Sequence, residues 1–259
     1  MATLLCHFFN EEYLLPWWLK HHKKMFDRAI MIDYASTDRS VEIIKEICPE
    51  WEIRPSRNKV FGMRSINEEV EDIERTIDGW RICLNVTEFL LGDLSTMLSL
   101  YDEKTTSFVN LGSSCYEVTH GYGIPVITMV DNKPEETPTY NLPLIEQKKY
   151  GIHYKEGSFP IRGGRILHKN KDMIYGIGRH YNYTTEDLVI LWYGWSPYNE
   201  NLLNRKKQIK FRMPQSDINQ GFGLEHLMSD EQMENIYKNY LNLSRDLSED
   251  FKKYTKNEI

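Results

Sequence analysis

Strand-length apolar runs alternate with helix-spaced apolar residues all through positions 1–90, and that alternation limits the fold more than any other feature. The first run is Thr3 to Phe9. Asn10 then offers a helix cap, Glu11 and Glu12 suit a helix N-terminus, and Pro16 is tolerated early in the helix. Leu15, Leu19, His22 and Phe26 share one helical face. Ala29 to Asp33 is a second strand. Ser36, Thr37 and Asp38 supply caps for a helix carrying Val41, Ile44, Ile47 and Cys48, which Pro49 stops. A third strand at Trp51 to Pro55, a helix marked by Ile66, Val70, Ile73 and Ile77, and a fourth strand from Trp80 to Val86 complete the series. Such a chain folds as a mainly parallel sheet covered by helices. Ligands of these sheets sit at the carboxyl ends of the strands. His7 to Asn10, Asp33 to Asp38, Arg54 to Lys59 and Asn85 to Glu88 are therefore expected around one crevice.

From Thr105 to Trp195 the pattern changes to short strand-like runs broken by Gly, Pro and Asn, which predicts a mixed or antiparallel extension of the sheet with long loops. After Ser229 a capping box, Ser229 to Gln232, opens a segment with Met233, Ile236, Tyr240, Leu243, Leu247 and Phe251 at helical spacing. The expected organisation is one domain over residues 1–228 with a helical extension over 229–259. There is no internal repeat.

With 259 residues and a net charge of −6, the chain is long enough for a substantial core and lacks the basic excess of a nucleic-acid binder. A small molecule or a glycan is the default partner. The cysteines Cys6, Cys48, Cys83 and Cys115 form no CxxC pair and read as buried free thiols of a reducing compartment. No basic leader or span-length apolar segment is present, so the expected location is cytoplasmic with no membrane span. The sequons at Asn85, Asn182 and Asn242 are then chance occurrences.

FFNEEYLLPWWLKHH, MIDYASTDRS and GWRICLNVTEFL, in that order, resemble the opening motifs of the family 2-like glycosyltransferases. The later FVNLGSSCYEV, GRILHKNKDMIYGIGRHY and ILWYGWSP resemble the same group's downstream blocks more faintly. The resemblance implies a GT-A fold, a Rossmann-like mixed sheet flanked by helices. It also implies a nucleoside diphosphate sugar as donor, UDP before GDP, and inverting transfer to a hydroxyl of a glycan or glycoprotein acceptor.

The pattern departs from the family at one place. Aligned on Trp80 and on Glu88-Phe89, the two aspartates of the family's D-x-D motif fall on Asn85 and Thr87. Carboxylates are the oxygen ligands that Mn²⁺ and Mg²⁺ favour, so use of a divalent metal is open. Three readings remain. Glu88 and His180 partly rebuild a metal site; basic side chains neutralise the diphosphate without metal; or the chain is a catalytically silent protein that binds a sugar nucleotide or glycan. A nucleotidyltransferase ranks below these, because Asn-Glu-Glu rather than a glycine-rich basic loop follows the first strand.

Candidate donor-binding residues are His7, Phe9, Asp33, Arg57, Arg64, Asn85, Thr87 and Glu88. Phe9 is either a nucleotide contact or a core aromatic, and Asp33 a base or ribose acceptor or a turn residue. Arg57 and Arg64 face the phosphates or the solvent, and His180 is a metal or diphosphate ligand or a core histidine. Arg205, Lys206, Lys207 and Lys210 read as a solvated face. Asp187 and Asp217 are candidates for the base that takes the acceptor proton, or else caps and loop acids. Asp131 and Glu156 stand behind them. His226 follows two glycines that serve a ligand or a turn. Trp192, Tyr193, Trp195 and Tyr198 stack on sugar rings or fill the core.

Overall fold

The computed structural model describes residues 1–100, 106–111, 114–119, 121–155, 164–169 and 185–255. The first part has β1 (Ala2–Phe8), α1 (Leu15–His22), β2 (Arg28–Asp33), α2 (Ser40–Ile47), β3 (Glu52–Pro55), α3 (Met63–Arg75) and β4 (Trp80–Cys83). Next come β5 (Glu88–Leu91), α4 (Leu94–Leu100), β6 (Thr106–Leu111), β7 (Ser114–Thr119), β8 (Gly121–Ile124), β9 (Val126–Val130), α5 (Leu144–Gln147), β10 (Tyr150–Ile152) and β11 (Arg165–His168). The remainder is β12 (Val189–Trp195), α6 (Glu200–Gln208), α7 (Gln215–Asn219), α8 (Asp230–Leu243), β13 (Arg245–Asp246) and α9 (Ser248–Lys252), with single 3-10 turns at Ile209–Arg212 and Leu224–His226.

Among the described residues one sheet runs β3-β2-β1-β4-β11-β8 and a second runs β13-β10-β9-β12-β5. β1 to β4 are parallel and β11 turns antiparallel against β4. The alternating opening thus gives parallel strands, and the mixed extension expected downstream is present in both sheets. The fold is α/β, with mixed sheets flanked by helices in a broadly Rossmann-like arrangement.

Period-two alternation sorts the first sheet's side chains. Leu4, Cys6, Ala29 and Met31 face a core with Trp18, Leu19 and Ile44 of α1 and α2. Leu5, Ile30, Ile32 and Cys83 face Ile66 and Val70 of α3. Full burial of each such aliphatic side chain is worth about 1.5–3 kcal/mol. The parity carries forward past the strand ends. His7 and Phe9 follow Leu5 onto the α3 side, and Asn85 follows Cys83.

One helix start and one strand end differ from expectation. Asn10 adopts a left-handed φ of 50° and does not cap α1, which begins at Leu15 with Pro16 in its first turn. The Asn10 carboxamide oxygen instead accepts from Thr37 N at 2.8 Å, while Asn10 N donates to Ser36 Oγ at 3.1 Å. Glu11 N donates to Ser40 Oγ at 2.8 Å, and Glu12 N to Asp38 Oδ2 at 3.0 Å. NEE and STDRS therefore clasp each other and fix the β1–α1 and β2–α2 loops, an arrangement local propensity could not reveal. β4 stops at Cys83 rather than Val86, after Leu84 N makes a last bond to Leu5 O at 2.9 Å.

The capping box of α8 forms as expected, with Ser229 Oγ accepting from Gln232 N. Met233 and Tyr237 of this helix pack with Val130 and Trp195. The Tyr237 hydroxyl donates to the Asp131 carbonyl, so α8 is fastened to the second sheet.

Candidate functional site

A cavity of about 430 Å³ opens where β1 and β4 end. Its polar corner is formed by His7, Asn67, Asn85 and Thr87, with Arg165 beside them. Phe9, Tyr34, Phe61 and Ile66 make one apolar wall, and Trp192, Trp195, Met228 and Tyr240 make the other. Glu11, Arg205, Lys206 and His226 add charge and donors.

The floor is a buried ion pair. Glu88 is inaccessible, and its carboxylate accepts from Arg165 Nε at 3.0 and 3.1 Å and from Nη2 at 2.8 Å. Asn85 N donates to the same carboxylate at 2.8 Å, which closes the Asn-Val-Thr-Glu elbow on itself. Glu88 thus anchors the elbow to β11. A second pair joins Glu11 to Arg205 through two bonds of 2.5 Å. Burial pushes the Glu11 carboxyl above its ordinary value and the Arg205 guanidinium acts against that.

His7 shares a side-chain hydrogen bond with Asn85, and its pKa falls to about 4, through burial first and the Arg165 charge second. A histidine so shifted contributes stability that is complete above its unfolded value of 6.5 and is lost as pH falls toward about 4. NMR titration of the His7 ring should show it neutral across the neutral range, with its midpoint near 4. A midpoint close to 6.5 would mean that the ring is solvated rather than held in the wall.

The other wall is built by α6 and β12. Leu202, Arg205 and Ile209 lie at i, i+3 and i+7, so the face that buries Leu202 also turns Arg205 inward. Lys206 sits with its ammonium 3.9 Å from the Trp195 ring centroid, a cation–π distance. Gly194 leaves room for the Trp192 indole, since a Cβ there would lie 2.2 Å from that ring. Arg212 lies 4.1 Å from the Phe9 centroid and donates to the carbonyls of Tyr34 and Lys59.

Of the donor-binding residues expected from sequence, His7, Phe9, Asn85 and Thr87 line the cavity and Glu88 lies beneath it. Asp33 is outside the lining and accepts from Ser36 N at 2.9 Å, as a turn residue does. Arg57 and Arg64 are also outside it, pairing with Asp72 at 2.7 Å and Glu68 at 3.6 Å, and Arg64 is 91% exposed. Asp187 sits at the start of β12, bonded to Thr185, whereas the cavity is at the other end of that strand. Asp131 is buried against Lys148 at 2.8 Å. His180 and Glu156 lie outside the described residues. Gly221 and Gly223 have φ of 78° and 65°, so they serve the turn, yet that turn brings His226 to the cavity. Arg205 and Lys206 correct the solvated-face reading, while Lys207 fits it by pairing with Asp230.

Asp217 acts at a distance. Its Oδ2 accepts from Met63 N at 2.8 Å, capping α3, whose own N-cap is Gly62. Asp217→Ala should therefore lower unfolding free energy by about 1 kcal/mol, measurable by urea denaturation. No change in stability would show the cap to be dispensable.

Among the described residues no group of three or more His, Cys, Asp or Glu side chains could hold a metal ion. No described helix is long and apolar enough to cross a membrane.

This geometry defines an α/β protein with a cavity at the carboxyl ends of its parallel strands. No protein-family model matches the sequence, and no curated protein matches it. Solved structures give weak likenesses of fold. S. aureus TarS 1-349 superposes with a TM-score of 0.37 at 10% identity over 65% of this chain and 47% of that one. TarS 1-349 in complex with UDP-GlcNAc gives 0.32 at 11% over 53% and 37%. HddC from Yersinia pseudotuberculosis gives 0.32 at 9% identity over 74% and 77%. The chain spans less than half the length of these TarS chains.

Proposed function

We propose that the cavity takes a nucleoside diphosphate sugar, a UDP-sugar in the first instance, and that the chain is an inverting glycosyltransferase acting on a glycan or glycoprotein hydroxyl. The observation that carries this reading is the composition of one cavity. A polar corner of His7, Asn67 and Asn85 stands at the strand ends, between aromatic walls, with Arg165, Arg205 and Lys206 on its margin. Flat apolar walls suit a base and a sugar ring, and cations suit the diphosphate that leaves.

In this proposal the diphosphate is neutralised by side chains rather than by a carboxylate-bound metal. Asn85 and Thr87 offer neutral oxygens, and the Glu88 carboxylate already accepts from Arg165 and Asn85 N. The acceptor hydroxyl attacks the anomeric carbon as the bond to the diphosphate oxygen breaks, and a carboxylate takes the hydroxyl proton. Glu11 and Glu225 are carboxylates of the lining, and Glu11 is committed to Arg205. Glu225 is accordingly assigned the base role, ahead of Asp187 and Asp217.

The same engagement of Glu88 favours a second reading, a protein that binds the nucleotide sugar without turning it over. Isothermal titration with UDP and with GDP, each with Mn²⁺ and with EDTA, tests the first step. UDP binding that survives EDTA is expected. Release of UDP from a panel of UDP-sugars separates enzyme from binder, and absence of any nucleotide binding would sink both.

A further inference from the structure

Two basic stretches meet at the cavity mouth. Residues 57–64 hold Arg57, Lys59 and Arg64 with no acid, and residues 205–212 hold Arg205, Lys206, Lys207, Lys210 and Arg212 with no acid, in a chain of net charge −6. They are joined where Phe61 N donates to Arg212 O at 2.8 Å and Arg212 Nη2 to Lys59 O at 3.2 Å. Several of these cations are committed elsewhere: Arg57 to Asp72, Arg64 to Glu68, Arg205 to Glu11 and Lys207 to Asp230. Lys59 and Lys210 are exposed, each next in sequence to a large apolar side chain that stands in water. Phe211 is 86% exposed and Val60 51%. Phe222 and Leu224 are also exposed, on the loop after α7, whose Asp217 accepts from Met63 N. Glu225 is an exposed acid of this loop, and Asp217 is occupied in capping α3.

We propose that this rim docks on an anionic lipid surface. Phe211 and Val60 enter the headgroup region, and Lys59 and Lys210 lie over the anionic headgroups. Single apolar side chains projecting between lysines are the combination that interfacial binding uses. Charge complementarity selects the occupant. A second copy meeting this face about a two-fold axis would bring the same lysines against each other. Docking would set the cavity mouth beside the bilayer, because Phe61, Met63, Lys206 and Ile209 of these stretches line it. The proposal does not depend on the nucleotide reading.

The test is co-sedimentation of the full chain with vesicles of phosphatidylcholine alone and of phosphatidylcholine with phosphatidylglycerol. Partition onto the anionic vesicles is expected, falling with salt and dropping roughly fivefold for each of Lys59→Gln and Lys210→Gln. Phe211→Ser should reduce it by about tenfold or more. UDP titration of these variants should match wild type, so failure of this proposal is separable from failure of the nucleotide reading. Equal partition onto neutral vesicles, or none onto either, overturns the proposal. Binding that falls with the lysine variants but not with Phe211→Ser would be a polyanion effect and also overturns it. A dimer in analytical ultracentrifugation that Phe211→Ser abolishes would assign the face to a second copy instead.

Discussion

Replacing Arg165 with methionine is expected to lower the unfolding free energy by about 3–5 kcal/mol, because it strands an ionised Glu88 in the interior. The side chains are 4% and 0% exposed, and methionine offers no donor in place of the guanidinium. For a chain of this size the melting temperature should fall on the order of 10 °C. The pair itself is not a large net source of stability, since desolvation offsets most of its Coulombic gain. Arg165→Met combined with Glu88→Gln should therefore recover at least half of the loss, glutamine keeping an acceptor for Asn85 N. Chemical denaturation of the two variants beside wild type gives the answer. A single variant within about 1 kcal/mol of wild type would mean that the elbow is open to solvent.

The largest effect on ligand binding is expected from Lys206→Glu. Lys206 lines the cavity with its ammonium against the Trp195 ring, so in the proposed site a diphosphate meets its charge directly, beside those of Arg165 and Arg205. Hydrogen bonds to charged groups contribute about 1.5–3 kcal/mol each. Reversing this charge should thus weaken UDP by roughly ten- to a hundredfold or more, and Lys206→Met by less. Uridine, which lacks the diphosphate, should bind both variants within about twofold of wild type, because the change acts through charge. Equal losses for UDP and uridine would place Lys206 against the base or the Trp195 wall instead. Unchanged UDP affinity in Lys206→Glu would remove the ammonium from the proposed phosphate site.

Alternating strands and helices were legible in the sequence because each element's apolar period is a local property. So was the neighbourhood of His7, Phe9 and Asn85, which parity along β1 and β4 carries onto one face. The α8 capping box was legible for the same reason, its four residues being contiguous. The start of α1 was not. Asn10 had two competing uses for one carboxamide, and a loop of the next βα unit won it.

Side-chain destinations divide along the same line. Arg205 and Lys206 looked like a surface run, although the i, i+3, i+7 relation with Leu202 and Ile209 held a signal that Arg205 turns inward. Arg57 and Arg64 lie near the end of β3 in sequence, yet Asp72 and Glu68 of α3 take them. A pairing across a helix face depends on which residues the turn brings opposite each other.

The sequence by itself determined the class of fold, the end of the sheet where a cavity would form, and the neutral side chains of Asn85 and Thr87 at that end. Those follow from periodicity and residue chemistry, which are local. Only the tertiary structure decided that Glu88 is bound to Arg165, that Glu11 is bound to Arg205, and that Asp217 caps a helix far away in the chain. The physical reason is that a buried charge must find its partner wherever packing provides one. Such partners lie at 77 and 194 residues' separation here, beyond the reach of any sequence window.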